Sequence, residues 1–194
     1  ERVKLLAIHG SPRKRGFSST LHSEFIRQFT SAGTEITEIH VYDKNILPCT
    51  ACGTCRSEFY CPVKDDMEKI YGIIRQADVI SISTPLYFSS VPSQLKVLID
   101  RCQIFWEQKN HNPGNLPCRK QGVLFCTAGA DYTSMFSGVL QLVRHFFNTI
   151  NAGFTEQDCI LLPGTDSSVA EKISLEIINT SARLSERIIT GITR

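Results

Sequence analysis

The stretch VKLLAIHGSPRKRGFSSTLHSEFIRQF, residues 3–29, decides the fold of this chain. It begins with a short apolar run, turns at Gly-Ser-Pro, and then carries a large apolar residue at every fourth position from Leu21 to Phe29. The run predicts a buried β-strand, and the spacing predicts an amphipathic helix that Ser18 or Ser19 caps. A buried strand that turns directly into a helix is typical of proteins built on a parallel sheet.

The same alternation of short apolar runs and helical patterns continues along the chain. Strands are predicted at 3–8, 35–42, 78–84 and 121–128, and a fifth lies within 154–164. A helix is predicted to begin at Asp65, with Glu68 in its capping box, and another at Pro92. A third is predicted over 134–150. The last begins at Asp166 or Ser167 and carries its apolar stripe on Val169, Ile173 and Ile177. Right-handed crossovers then give an α/β fold with a doubly wound five-stranded parallel sheet, order 2-1-3-4-5, and helices on both faces.

Length and composition limit the classes of protein. The 194 residues fit a single domain, predicted over 1–194. The net charge is only +2 and no run is long and apolar enough to span a bilayer, so neither a nucleic acid nor a membrane is an expected partner. The apolar start does not suit a secretory leader, so a cytoplasmic location with reduced thiols is expected. Segments 43–64 and 105–120 are predicted to be irregular, the second of them mobile.

The turn after the first predicted strand matches neither the dinucleotide-binding pattern nor the Walker pattern. It places Ser18, Ser19 and Thr20 at a helix N-terminus instead. Unpaired N–H groups and the helix dipole favour a phosphate monoester there, and Arg13 supplies a counter-charge. Serines at a helix start also serve as plain caps, so both readings stand at this point.

Two more loops leave the same edge of the predicted sheet. TPLYFSSVP, residues 84–92, follows the third strand, and TAGADYTS, residues 127–134, follows the fourth. Loops after strands 1 and 3 flank the switch point of a 2-1-3-4-5 sheet, where FMN sits in flavodoxin-like proteins. Tyr87 and Phe88 suit a flat isoalloxazine ring, although they equally suit partly buried loop packing.

The motifs GSPR and SST, the segment TPLYFSSVPSQLKVLIDR and the strand order resemble the NADPH-dependent FMN reductase group of flavodoxin-like proteins. The cysteine-rich segment that ends in VKDDM resembles, more narrowly, the iron–sulfur flavoproteins of anaerobic microbes. The likeness covers roughly residues 3–102, and only the TAGA loop and the element order support it beyond.

The resemblance implies FMN held by the three loops. The implied phosphate contacts are Ser11, Arg13, Ser18, Ser19 and Thr20. The implied ring contacts are Pro85, Leu86, Tyr87, Phe88, Thr127, Ala128 and Gly129. It also implies a [4Fe–4S] cluster on Cys49, Cys52, Cys55 and Cys61, and a homodimer or homotetramer in which cluster and flavin of neighbouring chains approach each other. The chain departs from the family pattern at Phe17 and Ser18, near which Asn or Gly is frequent, and at Ala130, near which a second Gly is frequent.

The cysteine loop, predicted over 47–64, has the spacing C-x2-C-x2-C-x5-C. Bacterial ferredoxins open with the same run, and here Cys61 completes a four-thiolate set. Zinc usually takes two separated pairs, and disulfides need an oxidising compartment. A cluster is therefore favoured over zinc, a redox disulfide or inert thiols. Structural roles are expected for Cys102, Cys118, Cys126 and Cys159, and a backbone partner is expected for His9.

These features lead to the hypothesis of an FMN-dependent oxidoreductase. With FMN and a [4Fe–4S] cluster it would be an electron-transfer flavoprotein that converts between one- and two-electron carriers, with ferredoxin or NAD(P)H as donor and no assigned acceptor. No catalytic acid, base or nucleophile is predicted. One alternative is an NAD(P)H-dependent FMN or quinone reductase without a cluster. The other is a flavodoxin-like binding module with structural zinc.

Overall fold

The computed structural model describes residues 2–111, 119–165 and 175–192. The strands in these ranges are β1 (Lys4–His9), β2 (Glu35–His40), β3 (Val79–Pro85), β4 (Lys120–Thr127), β5 (Ala152–Gly153) and β6 (Cys159–Leu162). The helices are α1 (Phe17–Ser31), α2 (Thr54–Ser57), α3 (Met67–Gln76), α4 (Ser93–Arg101), α5 (Gln103–His111), α6 (Ser137–Thr149) and α7 (Leu175–Ile192). None of the helices in the described ranges is long and apolar enough to cross a membrane.

The strands form one sheet in the order β2-β1-β3-β4-β5, and every pairing is parallel. This confirms the predicted doubly wound sheet of order 2-1-3-4-5. The fifth position is shared by two short strands, because β5 pairs with the start of β4 and β6 pairs with its end. A capping box between Thr155 and Asp158 closes a short turn that interrupts the expected single strand.

Helices cover both faces of the sheet. Leu6 and Ile8 of β1 belong to a core that also contains apolar side chains of α3, α4 and α6. Leu5 and Ala7, which alternate with them, belong to a core shared with α1 and α7. Two-sided burial explains why β1 has a continuous apolar run from Leu5 to Ile8 instead of an alternating pattern.

The first helix begins earlier than predicted. Gly16 is its N-cap, with no side-chain cap, so Ser18 and Ser19 lie inside the first turn instead of capping it. The reason is a tight turn before the helix, in which the Gly16 N–H donates to the Arg13 carbonyl at 3.2 Å.

The predicted capping box at α3 is also wrong. Asp66 is the N-cap, and Glu68 pairs with Lys64 instead of closing back onto the cap. Asp65 does accept a hydrogen bond from the Met67 N–H at 3.0 Å, but its carboxylate mainly serves Arg101.

The segment predicted as irregular over 105–120 begins within α5, so that expectation is wrong for its first part. Residues 112–118 lie outside the described ranges, as do the predicted caps Asp166 and Ser167 and the helix positions Val169 and Ile173. Ile177 of α7 packs against the core on the α1 side, as its stripe position predicted.

Candidate functional site

The three predicted flavin loops meet at one cavity of about 490 Å³. Its lining includes nine predicted residues: Ser11, Arg13, Ser18, Thr20, Pro85, Leu86, Tyr87, Thr127 and Gly129. It also includes Phe17, noted above only as a departure from the family pattern, and Arg15, Gly16 and Thr165, which were not predicted to line it. The cavity lies where β1, β3 and β4 end, at the edge where parallel sheets bind their ligands.

The helix α1 presents its N-terminus to this cavity. Since Gly16 has no side-chain cap, the first N–H groups of the helix keep no acceptor within it. Ser18 is buried beside them, and Arg13 and Arg15 are exposed at the rim. Unpaired N–H groups, a positive helix end and two guanidinium groups together suit a phosphate group.

Two of the predicted phosphate contacts also shape the loop itself. The Ser11 hydroxyl accepts from the Arg13 N–H at 3.1 Å, and the Ser19 hydroxyl donates to the Arg13 carbonyl at 3.1 Å. Ser11 still lines the cavity, whereas Ser19 lines a neighbouring depression on the surface. Ser19 is therefore placed to hold the loop and not to face the cavity.

The loop after β3 is a tight turn. Tyr87 and Ser90 exchange two backbone hydrogen bonds of 2.9 Å, with Phe88 and Ser89 in the left-handed region at φ 48° and 59°. This turn projects Phe88 into solvent at 106% relative exposure. Phe88 and Ala128 line an adjoining cavity with Tyr132, so they lie beside the flavin cavity and not in its wall.

Thr165 follows the last strand and reaches the same edge. Its N–H donates to the Ala128 carbonyl, and the Ala128 N–H donates to the Leu162 carbonyl, at 2.9 and 2.8 Å. The rule that ligands meet the carboxyl ends of strands applies to the fifth strand too, and it was the available signal for Thr165. Arg15 had the signal of the basic run Arg13-Lys14-Arg15.

All four predicted metal-binding cysteines line a second cavity, of about 480 Å³. Cys49, Cys52, Cys55 and Cys61 all carry free thiols there. The loop curls around the cavity through left-handed residues Ala51, Gly53 and Phe59, at φ 53°, 81° and 56°. Such a curled loop brings side chains from one short segment to face a common centre.

The four cysteines share a cavity without forming a close group of sulfur atoms. In the part of the chain that the structure describes, the only trio of potential metal ligands within 4.8 Å of one another is His9, Glu38 and His40. Four thiolates around one zinc ion lie about 3.8 Å apart, given Zn–S bonds of about 2.3 Å. No three of the four cysteine sulfur atoms lie as close together as that among the described residues.

The thiols differ in their surroundings. A hydrogen bond with Thr54 holds the pKa of Cys52 below its usual value. Burial, together with the charge of Glu107 and the neighbouring Cys49, raises the pKa of Cys55.

A buried ion pair lies beside the cysteine cavity. Arg101 and Asp65 are 1% and 0% exposed and touch at 2.5 Å. Burial alone would raise the pKa of Asp65, but hydrogen bonds from Arg101 and from the Leu47 and Met67 N–H groups hold it below its ordinary value. The pKa of Arg101 is raised: its burial acts against the charge, but the bond to Asp65 outweighs this.

Helix α5 supports the cysteine loop, and the sequence analysis missed it. The Gln108 side chain donates to the Phe59 carbonyl at 3.3 Å and accepts from Arg75 at 2.8 Å. Arg75 also lies over the Phe105 ring, 4.9 Å from its centroid. Buried positions Ile104, Phe105 and Gln108 were the helical signal, weak because one of the three is polar.

The two cavities have no lining residue in common among those described. The cysteine loop does follow β2, as predicted, but its cavity is closed by residues 100–107 at the end of α4 and the start of α5. The flavin cavity is closed by the loops at the sheet edge. Each cavity is therefore built independently of the other.

His9 does not pair with the backbone as predicted. Its Nε2 lies 2.9 Å from Glu38 Oε2, and its ring stacks on His40 with centroids 4.1 Å apart. Burial, followed by the nearby His40, lowers the pKa of His9. Cys102 and Cys126 are buried in the core, whereas Cys118 lies outside the described ranges.

Known proteins resemble this chain over much of its length. An iron–sulfur flavoprotein of Archaeoglobus fulgidus is 28% identical over 152 residues, 78% of this chain and 67% of that protein. An iron–sulfur flavoprotein of Methanosarcina thermophila is 34% identical over 108 residues, 56% of each chain. The chain thus spans between about half and two thirds of the length of these curated relatives.

Solved structures share the fold at low identity. An NAD(P)H:quinone oxidoreductase from Methanothermobacter marburgensis has a TM-score of 0.76 at 15% identity, over 97% of this chain and 96% of that one. An azoreductase from Bacillus anthracis has a TM-score of 0.69 at 16% identity, over 96% and 98%. Both likenesses concern the fold alone.

A family model described as NADPH-dependent FMN reductase matches residues 3–163, which include both cavities apart from Thr165. The chain therefore belongs to the NADPH-dependent FMN reductase family.

Proposed function

We propose that this chain is an electron-transfer flavoprotein that carries FMN in the loop cavity and a [4Fe–4S] cluster on the cysteine loop. The proposed cluster ligands are Cys49, Cys52, Cys55 and Cys61. When bound, FMN exchanges electrons singly or in pairs, and a cluster exchanges them singly, so the two together connect two-electron with one-electron carriers.

The observation that carries this proposal is the convergence of all four cysteines on one cavity. Soft thiolate ligands suit zinc and iron–sulfur centres. The ferredoxin-like spacing of the cysteines favours the cluster over zinc. The iron–sulfur flavoprotein names of the relatives support the same choice.

The loop cavity would hold FMN by both ends. The N-terminus of α1, with Ser18 and Arg13, would bind the phosphate. Leu86, Tyr87, Thr127 and Gly129, which line the same cavity, would hold the isoalloxazine ring. The chain's part is to orient the ring and exclude water, since the electron chemistry belongs to the cofactor.

The electron donor would be a nicotinamide or a ferredoxin. The family description names NADPH, which favours the nicotinamide. We also propose that the active form is a homodimer or homotetramer. Because the two cavities of one chain share no described lining residue, electrons would pass from the flavin of one chain to the cluster of another. Two large exposed rings, Phe88 and Trp106, support a surface that another chain covers.

Anaerobic purification with iron, sulfide and FMN analysis tests the proposal. We expect about four iron atoms and four sulfides per chain beside one FMN, and a paramagnetic resonance signal after reduction. Cys49→Ser should lose iron but keep FMN, because the cavities share no lining residue. Cys159→Ser, a partly buried cysteine outside the loop, is the matched control and should keep both. Full FMN with little iron in the unmodified chain would refute the cluster.

A second candidate function is an NAD(P)H-dependent FMN or quinone reductase without a cluster. Its support is that the flavin cavity is complete without the cysteine loop. Stopped-flow reduction separates the two functions. Full NADPH-driven turnover with a quinone in the Cys49→Ser variant would favour the reductase, whereas loss of electron delivery to one-electron acceptors would favour the electron-transfer flavoprotein.

A further inference from the structure

Arg101 and Asp65 form a buried ion pair that the stability of the fold does not by itself explain. Two nitrogens of the guanidinium contact the two carboxylate oxygens, at 2.5 and 3.2 Å. Desolvating two charges costs about as much as their attraction returns, so apolar residues of similar size would stabilise the fold as well. A role beyond stability is therefore indicated.

The positive member of the pair faces the cysteines. Arg101 lines the cysteine cavity, and Asp65 does not. The Arg101 guanidinium donates to the Leu47 carbonyl at 2.7 Å and to the Cys61 sulfur at 3.5 Å, one before and one at the end of the cysteine run. Its buried Nε has no partner among the described residues.

The backbone of Arg101 is held in place as well. The Tyr71 hydroxyl donates to the Arg101 carbonyl at 2.9 Å and ties the end of α4 to α3. Asp65 receives further bonds from the Leu47 and Met67 N–H groups, at 2.9 and 3.0 Å. Both charges are therefore fixed in position, which is the condition for a constant electrostatic effect at the cavity.

A fixed positive charge beside a cluster stabilises its reduced state, which holds one electron more. Charge and hydrogen bonds to the sulfur atoms are the main means by which a protein adjusts such a potential. Arginine keeps its charge at every working pH. Asp100, Glu107 and Arg56 also line the cavity, but Asp100 is already paired with Lys96 at 2.7 Å.

We propose that Arg101 and Asp65 together set the reduction potential of the cluster, Arg101 raising it and Asp65 lowering it. This inference rests on the proposed function, because it requires a cluster on the four cysteines. Arg101 acts as a tuning residue through its bond to Cys61 and its charge, and Asp65 acts through Arg101.

Redox titration of the cluster-loaded protein, followed by paramagnetic resonance, tests the inference. Arg101→Gln keeps amide donors and removes the charge, so the potential should fall. Asp65→Asn leaves the arginine charge uncompensated, so the potential should rise. We expect at least a tenfold change in the oxidised-to-reduced ratio at a given potential, which is about 59 mV for one electron. Arg101→Lys should lie between Arg101→Gln and the unmodified chain.

Arg27→Gln, which removes an exposed charge from α1 on the other side of the sheet, is the control and should leave the potential unchanged. If the pair were purely structural, both variants would lose iron and their reduction potentials would not shift in opposite directions. Shifts of the potential in the same direction, or no shift, would overturn the inference. If Arg101→Gln fails to hold iron, the direction in which Asp65→Asn shifts the reduction potential decides the question alone. Absence of iron from the unmodified chain would instead overturn the proposed function and this inference with it.

Discussion

At the scale of single residues, Arg13 is the side chain most directly linked to phosphate recognition. It lines the flavin cavity beside the start of α1, and its own backbone is held by the hydroxyls of Ser11 and Ser19. Its charge therefore stands at a fixed loop next to unpaired helix N–H groups.

Replacing Arg13 with Gln should weaken FMN binding roughly 10–100-fold, because a charge-assisted hydrogen bond contributes about 1.5–3 kcal/mol. Riboflavin, which lacks the phosphate, should bind the variant and the unmodified chain equally. Fluorescence titration of apoprotein with each flavin measures both constants. Arg27→Gln serves as the control on the exposed face of α1. An equal loss for FMN and riboflavin would contradict a phosphate contact.

His22 is the second informative residue at this scale. Its ring is fully buried and hydrogen bonded to the Ser81 hydroxyl at 2.6 Å. Burial, helped by the charges that His9 and His40 can carry, lowers the pKa of His22 well below 6.5. The folded chain therefore keeps this imidazole neutral at pH values where the unfolded chain protonates it.

The free energy of unfolding should consequently fall as the pH drops below about 6.5, by up to about 1.4 kcal/mol per pH unit for each such histidine. Above that pH His22 is neutral in both the folded and the unfolded chain, so it does not make the free energy of unfolding depend on pH. Urea unfolding between pH 5 and 8 measures the slope, and His22→Gln should reduce it. His145→Gln, at an exposed position, should leave it unchanged. An undiminished slope in His22→Gln would mean that other groups cause the acid sensitivity.

At the scale of elements, the first turn of α6 fixes the loop after β3. A Cβ atom at Gly138 would lie 2.2 Å from the Ser89 carbonyl oxygen, so the helix and the turn meet with no space between them. The Tyr87–Ser90 turn that borders the flavin cavity therefore depends on glycine at this helix position.

Gly138→Ala should displace that turn and weaken binding of FMN and riboflavin alike, since overpacking of this kind costs roughly 1–3 kcal/mol. Gly72→Ala in α3 is the matched control, because nothing lies within 4 Å of the added Cβ. It should raise stability by about 0.5–1 kcal/mol and leave flavin binding unchanged. Flavin titration and thermal unfolding of both variants measure these effects. Unaltered flavin affinity in Gly138→Ala would contradict the claim that flavin binding depends on the position of this turn.

Elements with a clear local pattern of apolar residues could be predicted from the sequence. Elements held by contacts with residues distant in the sequence could not. The strands β1 and β3 are buried on both faces of the sheet, and their runs of apolar and small side chains read directly from the sequence. Helix α5 is held by Arg75 and by the cysteine loop, contacts that no local pattern contains. The break between β5 and β6 comes from the Thr155–Asp158 turn.

The candidate sites divide in the same way. The flavin loops were predictable because strand ends of a parallel sheet meet at one edge. The ion pair of Arg101 and Asp65 was not, because 36 positions separate the two residues and only the folded chain joins them. Thr165 reached the flavin cavity through the pairing of β6 with β4, which likewise depends on tertiary structure.

At the scale of the whole molecule, two independent cavities raise the question of how electrons pass between them. Their linings share no described residue, and the chain exposes two large rings, Phe88 at 106% and Trp106 at 43% exposure. Large exposed aromatic residues commonly mark surfaces that another chain covers. The proposed route therefore runs from the flavin of one chain to the cluster of another.

Complementation between two inactive variants tests this route. Cys49→Ser keeps FMN without a cluster, and Ser18→Glu, which places a carboxylate at the anion-binding helix end, should keep the cluster without FMN. Each alone should fail to deliver electrons from NADPH to a one-electron acceptor. Chains mixed and reassembled should recover up to about a quarter of the activity, since roughly half of randomly formed dimers pair unlike chains and each such dimer keeps one of its two routes. A mixture of Ser18→Glu with unmodified chain controls for subunit exchange. Activity that never exceeds the separate variants, despite proven exchange, would place the whole route within one chain.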